Sequence, residues 1–307
     1  MLAKLELKAG TSDARKLEIT EAVRDYMTRT ETSQNRTAGQ IGVSPATLSS
    51  ILNHQWERIS DEMWQKVAGY VFKFVSRGWK IVETANFRRI FNLCRDAKLN
   101  AEMRIIAGYS GAGKTLALRE FKLRNPNVFI VTCLDGDSKK DFLEDILREL
   151  GVKFKGTCGQ TVRKIAEELN AMDAPILIFD EAGALGGKKI QLIKDLRNLT
   201  EGSCGIVLSG VDYVYSNIAK HAKSEREGYP ELFSRIGYCA GLEPPTWEEV
   251  RRIAESNGVA DEAIAKFLYQ NCKDFRLVKS WVENCHKLGD RLSLDYLKDV
   301  FNHSIKR

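Results

Sequence analysis

The chain changes its hydrophobic texture twice. Up to residue 82 the apolar positions recur at helical spacing, and no run reads as a strand. From about 104 to 243 short apolar runs alternate with helical patterns, the signature of a parallel α/β sheet. Beyond Pro244–Pro245 the pattern is helical to the end. Five runs are predicted as buried parallel strands: Arg104–Ala107, Val128–Cys133, Ile176–Phe179, Ile206–Leu208 and Tyr238–Leu242. Each is short, apolar and bounded by Gly, Pro, Asp or Ser. Helices are predicted over Lys114–Leu123, Lys139–Leu150, Thr161–Met172, Lys189–Leu199 and, last, Leu294–Ile305. Thr246-Trp-Glu-Glu249 reads as a capping box that opens the final helical part. The expected division is an all-α domain over 1–82, an α/β core over 83–243 and a helical unit over 244–307.

Within the first part, Arg36 to Leu52 reads as a helix–turn–helix. Gly42 permits the positive φ of the turn, Ser44 can cap the second helix, and Pro45 suits its first position. Ile41, Val43, Leu48 and Leu52 are expected to pack the two helices together. The opposite face shows Pro45, Ala46, Thr47, Ser49, Ser50 and Asn53, small and hydroxyl residues able to approach base edges or phosphates, and Arg36, Ser44, Thr47, Ser49 and Asn53 are the candidate DNA contacts. The second helix contains no Arg or Lys; Arg36, His54 and Arg58 flank it. Phosphate contacts dominate affinity for DNA, so this module alone is expected to bind weakly or without sequence preference. The pattern resembles the helix–turn–helix domains of phage repressors.

The strongest chemical signal is Gly108-Tyr-Ser-Gly-Ala-Gly-Lys-Thr115, a complete G-x-x-x-x-G-K-T between an apolar run and a helix. Gly108, Gly111 and Gly113 let the backbone curl, so that the N–H groups of Tyr109, Ser110 and Ala112 can face one anion at a helix N-terminus. Lys114 can reach the β- and γ-phosphates of ATP, and Thr115 can ligand Mg²⁺. The second half is Pro175-Ile-Leu-Ile-Phe-Asp-Glu181, four apolar residues ending in two carboxylates. Ligands of open α/β sheets bind at that edge. Asp180 would hold Mg²⁺, directly or through water, and Glu181 would polarise or orient the attacking water.

Composition changes little in this picture. A charged share of 29% and a hydrophobic share of 43% are ordinary for a globular chain of 307 residues. No apolar run approaches the roughly 18–20 residues that a membrane span needs, so no membrane partner is expected. The N-terminus does not read as a secretory signal, and a cytoplasmic location is the expectation. Seven scattered cysteines with no C-x-x-C pair argue for reduced thiols rather than zinc or disulfides. A net charge of +6 is compatible with nucleic acid without requiring it.

The phosphate loop and the Asp–Glu strand resemble those of the AAA+ ATPases. That resemblance implies a three-layer P-loop core of parallel sheet and helices, followed by a small helical lid. It also implies roles for three further residues. Ser209, after Ile206-Val-Leu, would be the polar tip of the sensor-1 strand. Arg235, in Leu232-Phe-Ser-Arg-Ile236, would be an arginine finger acting on a neighbouring subunit, with Arg226 as the second choice. Arg276, in Asp274-Phe-Arg276, would be the sensor-2 residue of the lid.

The order of a repressor-like helix–turn–helix, a bridge (Thr84-Ala-Asn-Phe-Arg-Arg-Ile-Phe), an AAA+ core and a small lid is similar to the target-selection ATPases of transposons, the Mu B and TniB-type family. The resemblance implies ATP-dependent helical filaments of this chain on double-stranded DNA. It further implies delivery of a transposase to that DNA and disassembly on hydrolysis. Lys139, Lys140, Lys188 and Lys189, paired near loops after strands, are candidate DNA contacts. Three other readings stay open: a helicase-loader-like ATPase of the IstB and DnaC group, a transcriptional regulator switched by ATP, and a signalling ATPase of the STAND type.

Overall fold

The computed structural model describes residues 11–72, 79–288 and 293–304. Its centre is a five-stranded parallel sheet of β1 (Met103–Ala107), β2 (Val128–Thr132), β3 (Ile176–Asp180), β4 (Gly205–Gly210) and β5 (Ile236–Gly241), in the order β2-β3-β4-β1-β5. Side chains alternate across it: Leu177 and Phe179 enter one core, and Ile176 and Ile178 enter the other. Strands buried on both faces need helices on both sides, which explains their unbroken apolar runs. The first face is covered by α7 (Lys139–Leu150), α8 (Cys158–Asn170), α9 (Gly187–Leu199), α10 (Tyr213–Lys223) and α11 (Tyr229–Ser234). The second face is covered by α5 (Ala85–Leu99) and α6 (Lys114–Arg124). This is the expected three-layer α/β core.

Several expected ends shift by one to three residues. α8 starts at Cys158 rather than Thr161, because Thr157 and Gln160 form a capping box. β4 extends through Ser209 and Gly210, which pair with Ile106 and Ala107 of β1. The last helix ends at Ser304, and Ile305 lies outside the described residues.

The N-terminal part folds as α1 (Asp13–Thr30), α2 (Gln34–Ile41), α3 (Pro45–Leu52) and α4 (Asp61–Val71) around one apolar cluster. The turn between α2 and α3 is built as the sequence predicts. Gly42 has φ 81°, and Ser44 Oγ accepts from the Thr47 N–H at 2.9 Å. Ile41, Val43 and Leu48 are buried as expected. Ile51 takes the second core position of α3 and leaves Leu52 half-buried, because i to i+3 points inward here rather than i to i+4.

The C-terminal part contains α12 (Trp247–Ser256), α13 (Glu262–Asn271), α14 (Phe275–Leu288) and α15 (Leu294–Ser304) around a separate cluster. Its opening capping box forms, with the Glu249 N–H on Thr246 Oγ1 at 3.3 Å and the Thr246 N–H on Glu249 Oε2 at 2.9 Å. Residues 79–82, expected to close the N-terminal domain, instead pack here. Trp79 and Val82 lie on the apolar cluster, and the Asn257 side chain bonds both the N–H and the C=O of Lys80 at 2.8 and 3.0 Å. No helix among the described residues is long and apolar enough to cross a membrane.

Candidate active site

The loop from β1 to α6 curls as a phosphate loop must. Gly111 and Gly113 sit at φ 85° and 86°, a conformation that side chains disfavour. At Gly113 a Cβ would project into open space. Gly111 is restricted a second way, because a Cβ there would lie 2.5 Å from Asp274 Oδ1. The lid therefore rests directly on the loop, with the Phe275 N–H donating to Gly111 O at 3.1 Å.

Lys114, the first residue of α6, folds its Nζ back onto Gly108 O at 2.6 Å and Tyr109 O at 2.9 Å. Burial lowers its pKa from the ordinary value, against the pull of the Asp180, Glu181 and Asp212 carboxylates. Thr115 Oγ1 donates to Asp180 Oδ2 at 2.7 Å. Ser209, fully buried at the end of β4, donates from Oγ to Asp180 Oδ1 at 3.0 Å. The Glu181 N–H reaches the same oxygen at 3.1 Å. Asp180 is thus fixed by α6, β4 and its own backbone.

Glu181 is exposed and left-handed, with φ 55°, an uncommon conformation for a residue with a side chain. That backbone turns its carboxylate away from the strand axis and starts the short turn Ala182–Ala184. Glu181, the loop 110–115, Arg119, Val211, Phe275, Arg276 and Lys279 line a hollow of about 290 Å³. Arg276 also approaches Ser110, Nη1 to Oγ at 3.4 Å. A smaller apolar hollow of about 70 Å³ lies beside Gly113, between Trp79, Val82, Phe87, Ile253 and Phe275.

The arrangement can hold a nucleoside triphosphate. Backbone N–H groups and a helix N-terminus face the hollow, a lysine and an arginine stand at its edge, and an apolar slot adjoins it. Residues 98–217 match the family model of an AAA domain, a span that holds the loop, Asp180, Glu181 and Ser209. The chain is also 26% identical over 302 residues to the ATP-dependent target DNA activator B of Escherichia phage Mu, covering 92% of this chain and 94% of that protein. The chain is an ATPase with an AAA+ fold, similar along nearly its whole length to Mu B. It is 27% identical over 258 residues to the Mu-like prophage FluMu DNA transposition protein B of Haemophilus influenzae, covering 80% of this chain and 88% of the relative. Two solved structures share the fold. The Aeropyrum pernix ORC2 protein matches with TM-score 0.56 and 14% identity, over 76% of this chain and 72% of that one. Domain III of Thermotoga maritima DnaA matches with TM-score 0.51 and 18% identity, over 74% and 95%.

Other expected residues of the AAA+ ATPase lie apart from this site. Arg235 caps α11 and pairs with Glu201, Nη1 to Oε1 at 3.2 Å. Arg226 stacks over the Tyr229 ring at 5.7 Å, beside Gly186 and Gly187. Neither lines the hollow of its own chain. Lys139 and Lys188 border one shared hollow, with Asp135 and Asp137 on its rim, and Lys140 is exposed with Glu144 at 3.7 Å. On α3, Ser44 and Asn53 are exposed and Thr47 and Ser49 half-exposed. Two pairs of these are joined, Ser44 to Thr47 at 2.8 Å and Asn53 to Ser49 at 3.3 Å.

Two expected DNA contacts are corrected. Lys189 is buried and donates its ammonium to the Leu134 carbonyl, reaching only the floor of the hollow that Lys139 and Lys188 border. Arg36 points into the core domain: Nε donates to Leu150 O at 3.1 Å, Nη2 approaches Met172 Sδ at 3.4 Å, and the guanidinium lies over the Phe129 ring at 5.4 Å. Sequence reasoning also missed Arg119, Phe275 and Lys279 in the hollow. Lys279 lies three residues past Arg276 on one helix, so the helical period could have found it.

Proposed function

We propose that this ATPase binds double-stranded DNA as an ATP-dependent homo-oligomer, selects target DNA for transposition and delivers a transposase to it, with hydrolysis driving disassembly. The observation that carries this reading is similarity to an ATP-dependent target DNA activator along 92% of the chain, joined to a phosphate loop whose Thr115 meets Asp180 beside an open hollow.

The hard oxygens of Thr115 and Asp180, 2.7 Å apart, suit Mg²⁺ and fit no softer metal as well. When bound there, Mg²⁺ supplies charge neutralisation at the phosphates. Lys114 holds the β- and γ-phosphate oxygens once its Nζ leaves the loop carbonyls. Glu181 orients the attacking water, Ser209 keeps Asp180 in register, and Arg276 reports the terminal phosphate to the lid. The apolar slot beside Gly113 is assigned to the adenine ring for its apolar lining. Arg235, with Arg226 as the second choice, acts on the site of a neighbouring subunit, which makes each nucleotide a link between copies.

DNA contacts are assigned to the outward face of α3, through Ser44, Thr47, Ser49 and Asn53, and to Lys139, Lys140 and Lys188. In this reading the helix–turn–helix unit lies within residues 1–82, with 79–82 packed on the lid, the ATPase core spans 83–243 and the lid 244–307.

The test is negative-stain electron microscopy of the protein with long nonspecific duplex DNA, with and without ATP and Mg²⁺, beside Glu181→Gln. Continuous filaments that require ATP and outlast the wild type in Glu181→Gln are expected. Discrete complexes at one site, or no response to ATP, would sink the reading in favour of a regulator or a loader.

A further inference from the structure

The helix–turn–helix domain is seated on the ATPase core through a contact unlike an ordinary domain boundary. α2 crosses the C-terminal end of α7, and two glycines meet where they cross. A Cβ on Gly39 would lie 2.9 Å from Gly151 O, and one on Gly151 would lie 2.8 Å from Arg36 O. Around this point Gln40 Nε2 donates to Glu149 O at 2.7 Å and Arg36 donates to Leu150 O. The last carbonyls of α7, which no helix can satisfy internally, are therefore capped by the other domain, with Arg36 adding a cation at the negative helix end.

Beside the glycines lies a buried polar network. Lys122, 2% exposed, pairs with Glu149, Nζ to Oε2 at 2.6 Å, and reaches the Tyr70 hydroxyl at 3.5 Å. Tyr70 meets the Tyr26 hydroxyl at 3.1 Å, and Tyr26 donates to Gln40 Oε1 at 3.2 Å. Tyr26, Gln40 and Tyr70 come from α1, α2 and α4; Glu149 comes from α7. Lys122 comes from α6, whose first residues are Lys114 and Thr115. Leu123, next to it, belongs to the apolar cluster of the N-terminal domain. One 11-residue helix, roughly 16 Å long, thus has the phosphate loop at one end and the domain seat at the other.

We propose that the Gly39–Gly151 contact and the Lys122–Glu149 network form a dock that makes nucleotide binding and the seating of the N-terminal domain one coupled equilibrium. Lys122 is its positioning residue. A ligand that fixes the N-terminus of α6 fixes Lys122 and Leu123 at the other end, and coupling between two sites is reciprocal. The inference holds whatever the helix–turn–helix binds.

Gly39→Ala is the discriminating variant. Alanine favours the helical state of α2, yet its methyl meets the Gly151 backbone at the dock, 2.9 Å from its carbonyl oxygen. The experiment is hydrogen exchange of the full chain with and without a non-hydrolysable ATP analogue and Mg²⁺, together with the analogue's Kd by calorimetry. In the wild type the analogue should slow exchange in α2 and the last turn of α7 as well as in the phosphate loop. In Gly39→Ala the loop should still be protected, the dock should not, and affinity should fall by about fivefold or more. Lys122→Met should behave like Gly39→Ala, and Lys122→Met combined with Glu149→Leu, which leaves no lone buried charge, should regain stability without regaining the coupling. Wild-type exchange in α2 that ignores the nucleotide overturns the proposal, as does a Gly39→Ala protein with wild-type affinity and exchange.

Discussion

Ser209 donates its hydroxyl to Oδ1 of Asp180 at 3.0 Å, from the neighbouring strand and out of reach of solvent. The oxygen left for Thr115 is Oδ2. Both carboxylate oxygens are therefore oriented before any ion arrives. Ser209→Ala should cost about 1–2 kcal/mol of stability, since a buried acceptor loses a donor. It should also lower the rate of ATP turnover, and Ser209→Thr, which keeps the hydroxyl, should recover most of both. Urea denaturation and steady-state phosphate release measure the two effects. An alanine variant equal to wild type in rate would remove Ser209 from the machinery.

Glu181 stands at the rim of the hollow, and among the described residues no other carboxylate lines it. Glu181→Gln should reduce hydrolysis by roughly 10²–10⁴-fold, the range for loss of a positioned base. Nucleotide affinity should stay within about threefold, because the amide keeps the shape. Single-turnover hydrolysis and equilibrium titration with a fluorescent ATP analogue separate the two.

Arg36 and the lysine pair Lys139 and Lys188 make opposite predictions for DNA. Arg36→Ala should destabilise the protein by about 1–3 kcal/mol, through two orphaned acceptors, and leave the salt slope of duplex binding unchanged. Lys139→Ala with Lys188→Ala should leave stability alone and flatten the slope by roughly one to two ions. Fluorescence anisotropy across a salt series reads both.

The dock should tolerate mild alkali and fail beyond it. Burial works against charge on Lys122, but Glu149 and Tyr26 outweigh it and hold the pKa above its ordinary 10.5. Burial likewise raises the phenols of Tyr26 and Tyr70 above 10.0. In each case the folded state holds its proton longer than the unfolded chain. Stability from these groups is therefore complete below about pH 10 and falls as pH rises past it. Urea midpoints should be flat from about pH 7 to 9 in this contribution and drop above 10. The Lys122→Met, Glu149→Leu double variant should lose part of that drop.

Much of this was legible in the sequence, because local pattern and spacing carried it. The five strands follow from apolar runs cut off by Gly, Pro and Asp, and their C-terminal ends place Asp180 and the phosphate loop on one edge. Gly42, Ser44 and Pro45 specify their turn without help from the rest of the chain. Long-range contacts were not legible. Arg36 reads as a free charge beside a recognition helix until α7, 114 residues away, supplies its acceptor. Lys189 reads as half of a basic pair until the Leu134 carbonyl takes its proton donor. Lys122, Glu149, Tyr26 and Tyr70 share no motif at all and meet only in three dimensions.

The hydrogen bond from Phe275 to Gly111 ties the lid to the rim of the phosphate loop, and Asp274 fills the space above that glycine. A nucleotide seated in the hollow would lie against this clasp. Lifting the lid would break this clasp, so whatever pulls on α14 from outside would be felt at the phosphate loop.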